Sequence, residues 1–156
     1  MNALTIFTRC REAEDDVRRL KMRIQQRRDA LTSITAPPPD PNGGSHGTGA
    51  GDRIGTLAID ITDLESQLQH RNERRRAEVA AACVLLDCLP EYQSRVMSYY
   101  YLQGLRVPQI ATRMRYSAGY IRRLKAMADD SAAEIDESVV DGALPAWYLR
   151  EDRQND

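Results

Sequence analysis

The sequence has few of the residues on which most enzyme and metal sites depend. Its 156 residues include only two histidines, His46 and His70, and three cysteines, none of them in a C-x-x-C pair. An odd number of cysteines without that spacing argues against a disulfide framework or a zinc site and favours reduced thiols. The sequence also offers no paired carboxylates and no nucleophile with a neighbouring base. We therefore expect no enzymatic activity and no cofactor.

Long apolar runs are lacking as well. The longest uncharged apolar stretch, residues 79–86, is much shorter than the roughly 18 residues that a membrane span requires. The amino terminus does not have a basic start followed by an apolar segment, which is the pattern of a secretory signal. We therefore expect a cytoplasmic protein without a membrane partner.

Aromatic residues make up only 6% of the chain, and apolar residues rarely alternate with polar ones as they do in strands. The chain is rich in Ala, Leu, Arg, Glu and Gln, which favour helices. An apolar fraction of 42%, before glycine is counted, is typical of a folded protein rather than a disordered one. These features predict an all-α fold.

Apolar residues in the amino-terminal third recur three and four positions apart, which is the spacing of a heptad seam. They are Ala3, Ile6, Cys10, Ala13, Val17, Leu20, Ile24, Leu31 and Ile34. This pattern predicts one long helix over residues 1–34. Four prolines and five glycines then predict a flexible linker over residues 35–51.

A second long helix is predicted over residues 52–88, with Asp52 as its N-cap. Its seam consists of Ile54, Leu57, Ile61, Leu64 and Leu68. The two helices are expected to form an antiparallel hairpin or a coiled coil between chains, and we expect them to mediate a homo-oligomer. Arg71 and the arginines at 74–76 have acidic neighbours, which favours a solvated helix face over a nucleic-acid site.

Three short helices are predicted within residues 89–128. The first begins at Pro90 and ends at Gly104, because proline is tolerated at a helix start and glycine suits a C-cap. The second covers residues 107–114. After a short turn, Ser117 is a good N-cap for the third helix.

The third helix has Ile121, Leu124 and Ala128 on one side and its basic residues on the other. Two helices joined by a tight turn, with arginines on the second, form a helix-turn-helix pattern. The tyrosines at 99–101 are expected to pack in the core of this domain rather than to stack on bases.

Residues 89–128 resemble the fourth conserved region of bacterial sigma factors. The matching positions, in order, are Leu89-Pro90, Gln93, Tyr101-Leu102-Gln103-Gly104, Gln109-Ile110-Ala111 and Ser117. The whole layout resembles phage and prophage regulators of the RinA and ArpU type. This resemblance implies a regulator of phage genes that binds double-stranded DNA, with RNA polymerase as a further partner. Arg106 departs from the pattern, since family members usually have Ser or Thr at that helix cap.

The charge within residues 89–128 also favours DNA as the partner. Seven basic side chains and one acidic side chain give this segment a local charge of +6, and such a surface attracts phosphate. In sigma factors the first exposed positions of the recognition helix often carry polar side chains that read bases. Here these positions are Ala118 and Gly119, which shifts the expected contacts to Tyr120 and the basic residues after it.

The expected DNA-binding residues are Ser117, Ala118, Gly119, Tyr120, Arg122, Arg123, Lys125, Arg113 and Arg115. We expect Arg122 or Arg123 to contact a guanine edge in the major groove. Phosphates of the DNA backbone are the expected targets of Arg113, Arg115 and Lys125.

Residues 129–156 carry a negative local charge, with nine acidic and two basic side chains, in contrast to the positive charge of residues 89–128. One interpretation is a solubilising tail whose Trp147 packs on a neighbouring helix. The other is that the tail lies against the basic helix-turn-helix and weakens nonspecific DNA binding, or docks on a polymerase subunit.

Two other functions are compatible with the sequence. A packaging-initiation protein similar to a small terminase subunit also joins a helix-turn-helix to oligomerising helices, and it would form a ring of many subunits. A coiled-coil adaptor that binds only protein would show no salt-dependent DNA binding.

Overall fold

The structure is a computed structural model that describes residues 1–35 and 49–155. Within these ranges the fold is all-α and contains no strand, which confirms the fold class expected from composition. The elements are α1 (Ala3–Thr35), α2 (Gly49–Leu86), α3 (Glu91–Met97), a π-helical turn (Ser98–Leu102), α4 (Val107–Met114), α5 (Ala118–Ala133), α6 (Glu137–Ala143) and α7 (Ala146–Asn155). They divide into two compact units. Asp16–Asn72 is the hairpin unit, and Met1–Asp15 with Glu73–Asp156 is the core unit.

In the hairpin unit the last part of α1 and the first part of α2 lie antiparallel. Arg28 pairs with Glu65 at 2.5 Å, and Asp16 pairs with Arg71 at 3.4 Å, so early residues of α1 face late residues of α2. The buried apolar side chains of this unit are Val17, Ile24 and Leu64. The two heptad helices therefore pair with each other within this single chain.

The second long helix begins before the expected boundary. It starts at Gly49, so Asp52 lies in its first turn instead of capping it. A carboxylate in the first turn interacts favourably with the positive end of the helix dipole. The remainder of the expected linker, residues 36–48, lies outside the described residues.

The core unit contains two apolar clusters. The larger one joins the start of α1, the end of α2 and the carboxy-terminal helices, and Phe7, Leu85 and Tyr148 are fully buried in it. The smaller one consists of Val96, Ile110, Ala111, Ile121 and Leu124, from α3, α4 and α5. Tyr100 packs against both clusters. The cluster formed by α3, α4 and α5 is thereby joined to the rest of the core unit.

The carboxy-terminal residues form helices that belong to the core. Val140, Leu144 and Tyr148 are buried in the larger cluster, and Trp147 is half-buried beside them. The Tyr148 hydroxyl donates a hydrogen bond of 2.8 Å to Glu78, a carboxylate with only 1% of its surface exposed. Burial raises the pKa of the Tyr148 phenol, and the bond to Glu78 raises it further. This segment is therefore a structural part of the fold.

Two acidic residues of α7 contact arginines on the long helices. Asp152 pairs with Arg9 at 2.6 Å, and Glu151 pairs with Arg74 at 3.1 Å. The Arg74 guanidinium also lies 4.2 Å from the centre of the Tyr148 ring. These contacts direct the acids of α7 towards α1 and α2. They do not support the interpretation in which the segment covers the basic helix-turn-helix.

Tyr148→Phe tests this packing. The substitution keeps the ring but leaves the buried Glu78 without its phenol donor, so we expect the free energy of unfolding to fall by about 1–3 kcal/mol. Urea unfolding can be followed by the fluorescence of Trp147, whose ring lies 5.8 Å from that of Tyr148. The control is Tyr120→Phe, which alters an exposed tyrosine. Equal stability of both variants would contradict the importance of the Glu78 hydrogen bond.

Candidate nucleic-acid interface

α4 begins without the serine or threonine that usually caps such a helix. Arg106 occupies the N-cap with an extended backbone, and its N–H donates to Gln109 Oε1 at 2.8 Å. Gln109 thus supplies the returning half of a capping box. Pro108 lies in the first turn, where a backbone N–H is not needed. The start of α4 is therefore stabilised by Gln109 and Pro108, although Arg106 does not cap it with its side chain.

The turn between α4 and α5 depends on Arg115. Its φ of 60° lies in the left-handed region, and it is the one residue other than glycine with positive φ in the described chain. The next residue, Tyr116, donates its N–H to the carbonyl of Ala111 at 3.0 Å, which closes the end of α4. Glycine is the usual residue at such a position, so an arginine there is strained. Its side chain is exposed beside the start of α5.

α5 begins as the sequence predicted. Ser117 has an extended backbone, and its hydroxyl oxygen accepts the N–H of Tyr120 at 3.1 Å. Ile121 and Leu124 are buried in the smaller cluster with Ile110 of α4. The side of α5 that carries Ile121 and Leu124 is thus held against α3 and α4, and the opposite side faces water.

The outward side of α5 combines a glycine with two arginines. Gly119 and Arg123 are four residues apart, so they lie on the same face of the helix, and Arg122 and Tyr120 flank that face. All four residues are exposed, whereas Ala118 is half-buried against the smaller cluster. No ion pair joins Arg122 or Arg123 to another residue within 1–35 or 49–155. A Cβ added at Gly119 would meet nothing within 4 Å, so this face is open.

Arg113 and Arg115 are exposed at the end of α4 and in the turn. Arg113 donates to the side chain of Gln103 at 3.1 Å and lies 5.4 Å from the centre of the Tyr99 ring. Together, Arg113, Arg115, Arg122 and Arg123 are called the basic face below. The structure places these four residues, which the sequence predicted to bind DNA, on the surface of α4, of α5 and of the turn between them.

Lys125 does not join the basic face. Its ammonium group lies 2.5 Å from Asp129 Oδ2 and 3.1 Å from the Tyr101 hydroxyl, and only 18% of the side chain is exposed. Burial disfavours its charge, but hydrogen bonds to Asp129 and Tyr101 outweigh that effect and raise its pKa. The i,i+4 spacing of Lys125 and Asp129 is compatible with an ion pair on α5, but no local spacing indicates the contact with Tyr101, 24 residues earlier.

A group of exposed tyrosines was missed by the sequence analysis. The rings of Tyr116 and Tyr120 have centroids 4.8 Å apart, and both are exposed beside the start of α5. The neighbouring phenol of Tyr92, on α3, raises the pKa of Tyr116. Tyr92 lies more than 20 residues from the other two, so no local spacing could have predicted the group.

Three of the four arginines in the run on α2 are paired within the chain. Arg71 pairs with Asp16, Arg74 with Glu151, and Arg75 with Glu14 at 3.2 Å. These pairs neutralise most of the positive charge of the run. The side chains of Arg71 and Arg74 are only 18% and 15% exposed, so the expected solvated helix face is wrong for these two residues.

Metal sites and membrane-spanning helices are not found among the described residues. No group of three or more His, Cys, Asp or Glu side chains has an arrangement that could hold a metal ion in residues 1–35 and 49–155. In the same ranges, no helix has the length and apolar character needed to cross a membrane. Comparison with models of protein families, with curated proteins and with solved structures gives no match for this chain.

Arg115→Gly tests the strain in the turn. Glycine adopts the left-handed conformation without a Cβ clash, so we expect the free energy of unfolding to rise by about 0.5–1 kcal/mol. The control makes the opposite change, from glycine to a residue with a Cβ, in Gly104→Ala. Gly104 also has a positive φ, of 67°, and an added Cβ would meet no atom within 4 Å, so the variant tests backbone strain alone. That variant should lose about 1 kcal/mol in the same urea titration. A loss of stability in Arg115→Gly would show that the arginine side chain stabilises the turn.

Proposed function

We propose that this protein is a phage-derived transcriptional regulator that binds double-stranded DNA through a sigma region 4-like helix-turn-helix. The observation that carries the proposal is the outward side of α5. There Gly119, which has free space where a side chain would be, lies beside the exposed Arg122 and Arg123. Those two arginines have no ion-pair partner in the described chain, whereas Arg71, Arg74 and Arg75 of α2 are paired. Exposed arginines without an ion-pair partner, close to the capped start of a helix, are available to contact DNA.

In this proposal the amino-terminal part of α5 enters the major groove. Gly119 lets the helix backbone approach the base edges closely, because it has no side chain to hold the helix away. Arg123 on the same face and Arg122 beside it then reach guanine O6 and N7, which accept two hydrogen bonds from one guanidinium group. Tyr120 contacts the groove from the other flank of that face.

Contacts to phosphate hold the helix in register. Arg113 and Arg115 extend from the end of α4 and the turn, where the first helix of such a motif crosses the DNA backbone. The positive φ of Arg115 supports this role, because strained residues are retained where the side chain has a use that glycine does not provide. Ser117 contributes by capping α5.

We further propose that the paired helices of the hairpin unit assemble two or more chains. Several seam residues remain only half-buried between α1 and α2, namely Leu20, Leu31, Leu57, Ile61 and Leu68. Met22 and Ile59 are exposed by 58% and 65%. A second copy packed on this unit would cover these apolar side chains, and an assembly with two copies of α5 would suit DNA half-sites about 34 Å apart. The sigma-like domain would then act with RNA polymerase at phage promoters.

The proposal is tested by selecting bound duplexes from a random-sequence pool and measuring affinity for the selected site. Arg122→Ala and Arg123→Ala should each weaken binding by about 5- to 150-fold, the equivalent of one lost bidentate base contact. The matched control is Arg76→Ala, which removes an exposed arginine from α2. We expect that control to leave affinity within about twofold, since Arg76 lies outside α4, α5 and the turn between them, and the loss of one exposed charge is partly screened by salt.

Two results would contradict the proposal. If the wild-type protein enriches no sequence from the pool, it does not read DNA sequence. If all three arginine variants lose affinity equally, binding arises from a diffuse basic surface rather than from α5.

A further inference from the structure

Lys125 belongs to a closed set of hydrogen bonds that links α5 to the π-helical turn. Its ammonium group donates to Asp129 at 2.5 Å and to the Tyr101 hydroxyl at 3.1 Å, and the Tyr101 hydroxyl donates to the other oxygen of Asp129 at 3.0 Å. The side chains of Lys125 and Asp129 are only 18% and 23% exposed. Partial shielding from water makes such a set stronger than an ion pair on the open surface.

The π-helical turn provides two aromatic rings for the same ammonium group. Lys125 Nζ lies 4.4 Å from the centre of the Tyr100 ring and 5.0 Å from that of Tyr101. The two rings are 4.8 Å apart and meet edge to face. π-helical turns are rare and occur often at functional sites. Here the turn places two consecutive tyrosines beside α5.

Arg11 extends this arrangement to α1. Its Nη1 donates to the backbone carbonyl of Tyr100 at 2.6 Å, and its guanidinium carbon lies 3.9 Å from the centre of the Tyr100 ring. Arg11, Tyr100 and Lys125 all lie in the core unit. A continuous series of contacts therefore runs from α1 through the π-helical turn to the middle of α5.

We propose that Lys125 is a positioning residue for DNA recognition, and that Asp129, Tyr101 and Arg11 hold it in place. This inference rests on the proposed function. The Lys125 charge is matched by Asp129, and its side chain faces inward, so it binds no phosphate. Its effect is to fix the orientation of α5 relative to α3 and the π-helical turn. The orientation of α5 in turn determines where Arg122 and Arg123 meet the bases.

Asp129→Asn separates this role from direct contact with DNA, because the two roles predict changes of opposite sign. Loss of the Asp129 charge weakens the hold on Lys125. If Lys125 only positions α5, affinity for the selected duplex should fall by about tenfold, since a neutral amide oxygen replaces the charged acceptor of Lys125. If Lys125 binds phosphate, the variant frees a cation and removes an anion, so affinity should rise.

Asp130→Asn is the matched control. Asp130 is the next residue on α5, it is exposed, and the substitution removes the same charge without touching Lys125. We expect it to raise affinity slightly for the selected duplex and for a random-sequence duplex alike. Tyr101→Phe supplies a second test without any change in charge, and it should lower affinity for the selected duplex only.

The readout is the ratio of affinities for the selected and random duplexes, measured well below the unfolding midpoint at two salt concentrations. A positioning role predicts that Asp129→Asn and Tyr101→Phe lower this ratio and leave the salt dependence of random-duplex binding unchanged. An unchanged ratio in both variants, or a gain in affinity by Asp129→Asn equal to that of Asp130→Asn, would overturn the inference and leave the proposed function intact. If the wild-type protein selects no duplex, the proposed function fails, and the inference fails with it.

Discussion

The burial of Ile121 and Leu124 against α3 and α4 determines which side of α5 faces water. A helix that buries one side must present the other, so this apolar contact places Gly119 and Arg123 outward. The left-handed Arg115 ends α4, and the Ser117 cap begins α5 two residues later. If the contact were lost, the arginines would remain in the sequence but would no longer share one surface.

The charges of the chain fall into two groups that the net charge of −1 does not distinguish. In one group, basic and acidic residues neutralise each other, as Arg74 does with Glu151 and Lys125 with Asp129. In the other group, Arg122 and Arg123 are exposed on the helix-turn-helix without such partners in the described residues. Under the proposed function, the electrostatic potential at the DNA would depend on this second group, because paired charges largely cancel at a distance.

Much of the fold could be predicted from local signals. Heptad spacing indicates the long helices, Ser117 indicates the start of α5, and Gly104 indicates a helix end, where it adopts a φ of 67°. These signals are readable because each depends on residues that are close in the chain.

The features that were not predicted depend on distant contacts. Lys125 is turned inward by Tyr100 and Tyr101, which lie more than 20 positions earlier. The carboxy-terminal segment resembles an acidic tail in composition, yet Tyr148 makes it part of the core through Glu78 and Arg9. No sequence spacing encodes such partners, and the outward direction of Gly119 likewise requires the packed domain.

The central claim is that the side of α5 containing Gly119 lies against DNA. The most direct measurement compares Gly119→Leu with Gly142→Leu, since a Cβ at either position meets nothing within 4 Å and both variants should fold. The account predicts that Gly119→Leu weakens binding to the selected duplex by at least about tenfold, because leucine holds the helix away from the base edges. Gly142→Leu, on α6, should bind as the wild-type protein does. Unchanged affinity of Gly119→Leu would contradict the account.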